Sequence, residues 1–249
     1  MYTQVATVLL SPARPKSSSS KPKFAPQKAA EPCFALLYDH EFQTAQFNGN
    51  SRRRSHTGRV PIDAYVFRAL LLLLYGAGLR ISEAISLHIV DVDLEQAHLI
   101  IRGTKFYKTR LVPLGNDLTQ VMTEYVGQRN NRHSGAADTP LFCFRDGASL
   151  SKSAAQSTFR RLRAAAGVVR EGGQRQQPRL HDLRHSAAVH RLVAWYRSGA
   201  DLHDLLPKLA TYLGHVNLSA TQHYLTMTPD LLHEASLRFE RYAMEKSHD

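Results

Sequence analysis

Chemically reactive side chains are concentrated in two stretches of the C-terminal half of the chain, 179–185 and 213–224. His181 and Arg184 are three residues apart, so a helix would place both on one face. An arginine can bind two oxygens of a phosphate at once, and a neighbouring histidine can donate to a third oxygen or move a proton near neutral pH. His215 and Tyr224 add another donor and a phenol nucleophile. This set of groups suits nucleophilic attack on a phosphodiester.

Basic side chains earlier in the chain fit the same chemistry. Arg80 follows a glycine turn and lies near the start of a predicted helix, where backbone N–H groups favour an anion. Lys105 and Lys108 lie near the tip of a predicted hairpin. A lysine at such a tip is usually solvated, whereas one that folds over a bound phosphodiester can act as a general acid.

The elements that must position these residues are mostly predicted helices. Residues 64–75 are apolar all round and are expected to form a central helix. Polar residues and glycines delimit the others. The further predicted helices are 80–87, 118–129, a segment capped by Ser151 that stops at Gly167, 181–197, 202–213, a helix capped by Ser219 that holds Tyr224, and 229–244; the predicted strands are 99–102, 110–114 and 141–144, with a turn at 91–95 and a polar loop at 130–139.

Composition restricts the partner more than the reaction. The chain has 249 residues, 43% of them hydrophobic, and a formal net charge of +11. Such a surplus favours a polyanionic partner, nucleic acid first and an anionic membrane second. The longest apolar run, within 69–79, is shorter than the roughly 20 residues that span a bilayer. Two distant cysteines, Cys33 and Cys143, favour a reduced, cytosolic setting.

Four motifs, in order and spacing, resemble the tyrosine recombinase (phage integrase) family. They are Gly78-Leu-Arg-Ile-Ser-Glu83, the Lys105 hairpin ending in Arg110-Leu-Val-Pro-Leu114, His181-Asp-Leu-Arg-His185, and Leu213-Gly-His215 with Tyr224 nine residues on. The resemblance covers about residues 60 to 242. It implies the catalytic-domain fold of the family, mainly α with a small antiparallel β-sheet (α+β).

The resemblance implies that two arginines, Arg80 and Arg184, hold the scissile phosphate. His215 would donate to a non-bridging oxygen. Glu83 matches an acidic residue that helps to set the first arginine. Negative charge accumulates on the phosphoryl oxygens in the transition state, so these donors would stabilise it preferentially.

The resemblance also implies the path of the protons. Tyr224 would become a 3′-phosphotyrosine, His181 would assist proton transfer from it, and Lys105 would protonate the leaving 5′ hydroxyl. No metal, nucleotide or other cofactor is expected, because the covalent tyrosine link stores the bond energy for religation. Four basic residues are assigned to DNA contacts: Lys108, Arg110, Arg160 and Arg161.

A zinc site is the alternative interpretation of the histidines. His181 and His185 have the i, i+4 spacing of a zinc pair. The metalloprotease pattern requires Glu after the first His, however, and Asp182 stands there with no clear third ligand. His185 and His190 are therefore expected to be helix-packing residues.

The implied function is that of a site-specific recombinase or integrase that acts on double-stranded DNA in a bacterial cytoplasm. The last helix, from Leu231 to Phe239, would dock on a neighbouring copy in a tetramer. Residues 1–31 are expected to be a disordered basic tail and 32–249 the catalytic domain. The N-terminal core-binding domain usual in the family is expected to be absent. Two alternatives stay open: a DNA-binding remnant or regulator of longer recombinases, and a topoisomerase-like enzyme that nicks and reseals.

Overall fold

The computed structural model describes residues 62–103, 109–169, 173, 176–222, 224 and 229–246. The predicted basic tail (1–31) lies outside them, as do Lys105 and Lys108. In chain order the described elements are α1 Ala64–Gly76, α2 Ile81–Ile85, a 3-10 turn Ile89–Asp91, β1 Val92–Asp93, β2 His98–Ile101, β3 Arg110–Pro113, α3 Asn116–Asn130, α4 Lys152–Ala165, α5 Leu180–Arg197, α6 Leu202–Leu213, α7 Ser219–Gln222 and α8 Pro229–Lys246.

Helix α1 is the centre of the core, as its all-round apolar sequence predicts. Its residues from Ala69 to Leu74 are buried without interruption. Helices α2, α3 and α5 pack against it. A helix that is apolar on every side must be enclosed, so the remaining elements are arranged around it.

The sheet is antiparallel, in the order β1-β2-β3. Val92 pairs with Leu99, and Ile101 pairs with Arg110. Leu99 and Ile101 point into the core, in the alternation expected of a half-buried strand. Helices with this small antiparallel sheet confirm the predicted fold class. Arg110 thus begins β3, the strand after the predicted hairpin tip, which lies outside the described residues.

Three local predictions were wrong. The turn expected at 91–95 starts as β1, because Val92 and Asp93 pair with β2. The strand expected at 141–144 makes only an isolated bridge between Cys143 and Ser149 in the described part of the chain. Ser219 is the first residue of α7 rather than a cap outside it, and α7 ends at Gln222, before Tyr224.

The polar loop predicted at 130–139 is held by a buried arginine. Arg129 is 1% exposed. Its guanidinium donates to the carbonyl oxygens of Pro140 at 3.0 Å and Ser134 at 2.8 Å, and to Thr139 Oγ1 at 3.0 Å. Because unmade hydrogen bonds of a buried charge are costly, these acceptors fix the loop around the side chain.

Helix α8 lies against α5 of the same chain. Arg197 Nε donates to Glu234 Oε1 at 2.8 Å, and Arg238 Nη1 donates to the Ala200 carbonyl at 3.1 Å. Leu232 and Phe239, on other positions of α8, are exposed. None of the described helices is both long enough and apolar enough to cross a membrane.

Gly78 tests how tightly the end of α6 packs on the turn before α2. Its φ is +60°, and an added Cβ would lie 2.8 Å from Leu213 Cδ2. Gly103 has nearly the same φ, +59°, but a Cβ there would meet nothing within 4 Å. We expect Gly103→Ala to lower the free energy of unfolding by about 1 kcal/mol, the left-handed backbone term. Gly78→Ala adds an overpacking term and should lose about 2–4 kcal/mol in total.

Urea unfolding of the two glycine variants beside the parent chain measures both losses. The difference between the variants isolates the contact with Leu213, since the backbone conformation is matched. Equal losses would show that the Leu213 side chain gives way and that the turn is loosely packed.

Candidate active site

The start of α5 carries the first two candidate residues. Asp182 accepts from the Arg179 backbone N–H at 3.0 Å, which caps the helix and fixes where it begins. Arg184, one turn further on, is 1% exposed. His181, three residues before it on α5, is exposed. The prediction that one helix holds both residues is confirmed.

Arg184 joins three parts of the chain. Its Nη1 donates to the Gly78 carbonyl at 2.6 Å, and its Nη2 donates to the Leu213 carbonyl at 2.6 Å. The first carbonyl belongs to the turn before α2 and the second to the end of α6. The guanidinium therefore fixes the two segments that carry Arg80 and His215.

Arg80 is the residue immediately before α2, as the glycine turn predicts. Its backbone N–H donates to Glu83 Oε2 at 3.0 Å, and its Nη1 donates to Glu83 Oε1 at 2.8 Å. Its Nη2 reaches the Gly214 carbonyl at 3.1 Å. Glu83 thus fixes the positions of both the backbone and the side chain of Arg80.

Arg110 does not lie where its assignment to DNA requires. Its side chain is 12% exposed, and its Nη1 and Nη2 donate to the two oxygens of Glu83 at 3.0 and 2.9 Å. Its Nε donates to the Tyr212 carbonyl at 3.3 Å. The guanidinium is directed into the protein, so we withdraw the DNA-contact assignment for this residue.

Tyr224 is buried between two histidine rings. Its ring lies 4.9 Å from that of His185, edge on, and 5.9 Å from that of His215, nearly parallel, between centroids. His215 Nδ1 is 2.8 Å from Thr221 Oγ1, which fixes the orientation of the imidazole. The predicted nucleophile and the predicted second histidine are therefore in direct contact.

The electrostatics of these residues are coupled. Burial and, after it, the nearby Arg80 charge lower the pKa of Arg184 to about 10, while Tyr224 acts in the opposite direction. Partial desolvation lowers the pKa of His181, and the charges of Arg184 and Arg80 act in the same direction. The structure thus brings together the two arginines, His181 and Tyr224.

His215 is more strongly affected. Burial, followed by the charges of Arg184, Arg80 and Arg110, lowers its pKa to about 4. Its imidazole is therefore neutral across the physiological pH range. A neutral imidazole carries one donor and one acceptor nitrogen, so it adds no positive charge to the arginines.

Glu83 provides the compensating negative charge. Burial raises its pKa, but hydrogen bonds and charge from Arg110, and then hydrogen bonds from Arg80, outweigh this and lower the pKa to about 2. The carboxylate is therefore ionised at any physiological pH. The cluster still has more cationic than anionic side chains, an arrangement that favours an anionic ligand such as a phosphodiester.

The remaining candidate residues are not brought into this cluster. Arg160 and Arg161 are exposed on α4, where they donate to Ser157 Oγ at 3.1 Å and Thr158 Oγ1 at 3.4 Å. Lys105 and Lys108 lie outside the described residues. In the described part of the chain, His, Cys, Asp and Glu form no group of three that could hold a metal ion.

Two contacts at the site were not found from the sequence. His185, predicted to be a packing residue of α5, packs on the Tyr224 ring itself. Thr221 orients His215. Thr221 and His215 are six residues apart in a turn-rich segment that has no fixed period. No spacing rule could therefore have identified their contact.

The chain matches the family model described as the phage integrase family over residues 52–230. It is 41% identical over 184 residues to y4rB of Sinorhizobium fredii, which is named as an integrase/recombinase. It is 33% identical over 176 residues to tyrosine recombinase XerA of Pyrococcus furiosus. These alignments cover 74% and 71% of this chain but 58% and 55% of the relatives, so the chain spans little more than half their length.

Two solved structures share the fold. A crystal structure of XerA recombinase aligns with a TM-score of 0.60 at 21% identity, covering 91% of this chain and 67% of that one. The Tn1549 transposon integrase, solved in complex with transposon right end DNA, aligns with a TM-score of 0.55 at 19% identity, covering 92% and 69%. With the family model matching most of its length, the chain belongs to the phage integrase family, the tyrosine recombinases.

Proposed function

We propose that this protein is a site-specific recombinase that cuts and rejoins double-stranded DNA through a covalent bond between Tyr224 and a 3′ phosphate. The observation that supports this most is the contact of the Tyr224 ring with His215, close to the charge of Arg184. A phenol beside a guanidinium group and a neutral imidazole is suited to attack a phosphodiester.

Arg80 and Arg184 bind the non-bridging oxygens of the scissile phosphate. Both side chains are already oriented by the protein, through Glu83 and through backbone carbonyls. Charge that develops on the phosphoryl oxygens therefore meets donors that need little reorganisation. When the Thr221 hydroxyl donates to Nδ1 of His215, the ring proton is on Nε2, which can donate to another oxygen.

The cleavage step balances as a transesterification. The Tyr224 oxygen attacks phosphorus, the bond from phosphorus to the 5′ oxygen breaks, and a 3′-phosphotyrosine forms. A phenol has an ordinary pKa near 10, so it must give up its proton as it attacks. Neutral His181 accepts this proton, and Lys105 protonates the leaving 5′ oxygen. Rejoining is the reverse reaction with a 5′ hydroxyl as the nucleophile.

The DNA duplex is the partner that this chemistry requires. Lys108, Arg160 and Arg161 contact its backbone, which carries no sequence information but fixes the register of the protein. Exposed apolar residues of α8, Leu232 and Phe239, are the surface through which copies assemble into a tetramer on DNA. An enzyme acting on bacterial DNA works in the cytoplasm.

Removing one hydroxyl group tests the nucleophile. We expect Tyr224→Phe to abolish covalent adduct formation on a nicked suicide duplex, because phenylalanine keeps the ring contacts but has no oxygen to attack with. Tyr196→Phe is the matched control, since Tyr196 lies on α5 about 18 Å along the helix from Arg184. Denaturing electrophoresis of protein with labelled DNA detects the adduct. The wild-type chain and Tyr196→Phe should form it, and Tyr224→Phe should not.

The same assay separates the alternative functions. DNA binding by the wild-type chain without any adduct would contradict the enzyme and favour a DNA-binding regulator. An adduct with plasmid relaxation but no strand exchange between two duplexes would favour a topoisomerase-like activity.

The pKa of His215 makes a separate prediction about stability. Its folded pKa is about 4, below the ordinary 6.5, so the unfolded chain binds a proton on this residue between those values and the folded chain does not. The unfolding free energy should therefore fall as pH decreases from 6.5 to about 4.

In His215→Asn this part of the fall should be missing. Urea unfolding at several pH values between 4.5 and 7 compares the variant with the wild-type chain. Protonation of Glu83 changes the unfolding free energy at lower pH, below its ordinary pKa of 4.5. Both proteins contain Glu83, so this contribution cancels when they are compared. Parallel curves for the two proteins would contradict a depressed pKa.

A further inference from the structure

We propose that Arg110 is a positioning residue for the cleavage reaction, acting through Glu83 on Arg80 and through the end of α6 on His215. The inference rests on the proposed function, because it concerns the geometry of the phosphate-binding arginines. It replaces the DNA contact that the sequence suggested.

Arg80 and Arg110 share the carboxylate of Glu83, which is the first reason to assign Arg110 a positioning role. Four N–H groups donate to its two oxygens: the Arg80 backbone and Nη1, and Arg110 Nη1 and Nη2. The fork of Arg110 spans both carboxylate oxygens, which fixes the plane of the carboxylate. Since Arg80 binds to the same two oxygens, the direction of its guanidinium depends on that plane.

The second support is the end of α6, where three successive carbonyls each accept from a different arginine. The Tyr212 carbonyl accepts from Arg110, the Leu213 carbonyl from Arg184 and the Gly214 carbonyl from Arg80. Carbonyls at a helix C-terminus lack helical partners and carry partial negative charge. The three guanidinium groups therefore bind one after another along the segment that leads to His215.

The third support is the close packing of Arg110 on Gly214. A Cβ on Gly214 would lie 2.8 Å from both Arg110 Cζ and Nη1. The residue also has a φ of +69°, which glycine adopts without strain. Gly214 thus lets the guanidinium lie flat against the backbone, one residue before His215. A displacement of Arg110 is transmitted directly to this histidine.

Exposure relative to Arg80, together with the charge of the acceptor, distinguishes this role from a DNA contact. The Arg110 side chain is 12% exposed and that of Glu83 8%, whereas the Arg80 side chain is 35% exposed. Arg80 can reach a ligand while bound to Glu83. Arg110 is paired with an ionised carboxylate and contributes by holding the others in place, whereas the described acceptors of the more deeply buried Arg184 are neutral carbonyls, which compete less with a phosphate.

The test compares Arg110→Lys and Arg110→Gln with the wild-type chain on a suicide duplex. A lysine keeps the charge but cannot span two carboxylate oxygens and a carbonyl, and glutamine loses the charge as well. We expect the first-order rate of adduct formation at saturating DNA to fall about 10- to 100-fold in both variants, the loss typical of misplaced catalytic groups. The dissociation constant for DNA should stay within about twofold, with an unchanged salt dependence, because no phosphate contact is removed.

A DNA contact would give the opposite pattern. Arg110→Lys would then be nearly normal, and Arg110→Gln would bind more weakly, with a salt slope reduced by about one. That result would overturn the proposal. Arg160→Gln, at an exposed position on α4, supplies the reference for the loss of affinity and salt slope that a backbone contact gives.

A double-mutant cycle tests the route through Glu83. If Arg110 acts on Arg80 through this carboxylate, Arg110→Gln should slow the Glu83→Gln variant by a smaller factor than it slows the wild-type chain, because only the route through the end of α6 is left. Multiplicative losses in the double variant would show that Arg110 acts independently of Glu83, and would overturn that route.

The remaining outcomes are also decisive. Rates are measured below the thermal unfolding transition of each variant. Failure of both Arg110 variants to fold would make the residue structural and overturn the positioning role. An active wild-type chain with equally active Arg110 variants overturns this inference alone, whereas an inactive wild-type chain overturns the proposed function and this inference with it.

Discussion

The site depends on keeping three guanidinium groups close together inside the protein. Like charges at short range repel, and burial removes the water that would screen them. Two compensations act here. The ionised carboxylate of Glu83 is shared by Arg80 and Arg110, and the carbonyls at the end of α6 receive one donor from each arginine. Neither is sufficient alone, because one carboxylate cannot neutralise three cations and carbonyl dipoles carry only partial charge.

The net positive charge that remains favours an anionic ligand. The scissile phosphate that we propose as this ligand would add negative charge to a cluster that is already oriented, so its binding would need little reorganisation. The histidines contribute without adding charge, because burial and the arginines lower the pKa values of both His181 and His215. An imidazolium beside these cations would be repelled, so proton uptake by His181 depends on the negative charge that a bound phosphate would bring.

The sequence predicted the elements whose patterns are long and regular. Helix α1 follows from an unbroken apolar run, and α6 from apolar periodicity that ends at a glycine. The predictions failed where an element is too short to repeat its period. The strand Val92–Asp93 has two residues, and α7 has four, so neither carries a readable pattern.

For the candidate site, too, the sequence predicted some features and not others. Motif order and spacing selected His181, Arg184, His215 and Tyr224, and the structure brings them together. Arg110 was assigned to DNA because residue type gives charge but not direction. A basic residue beside a hairpin tip can face DNA or the protein, and only the positions of Glu83 and the end of α6 decide which. Tertiary contacts more than 25 residues apart in sequence leave no local signal.

The core and the site share atoms, which links stability to chemistry. The Gly78 carbonyl accepts from Arg184, while the Gly78 α-carbon faces the Leu213 side chain, whose own carbonyl accepts from the same arginine. The position of the Arg184 guanidinium therefore depends on how α6 packs on the turn before α2. Since protein interiors resist small displacements, this packing restricts the guanidinium to one position. The apolar core around α1 thus supplies the rigidity that keeps Arg184 in place.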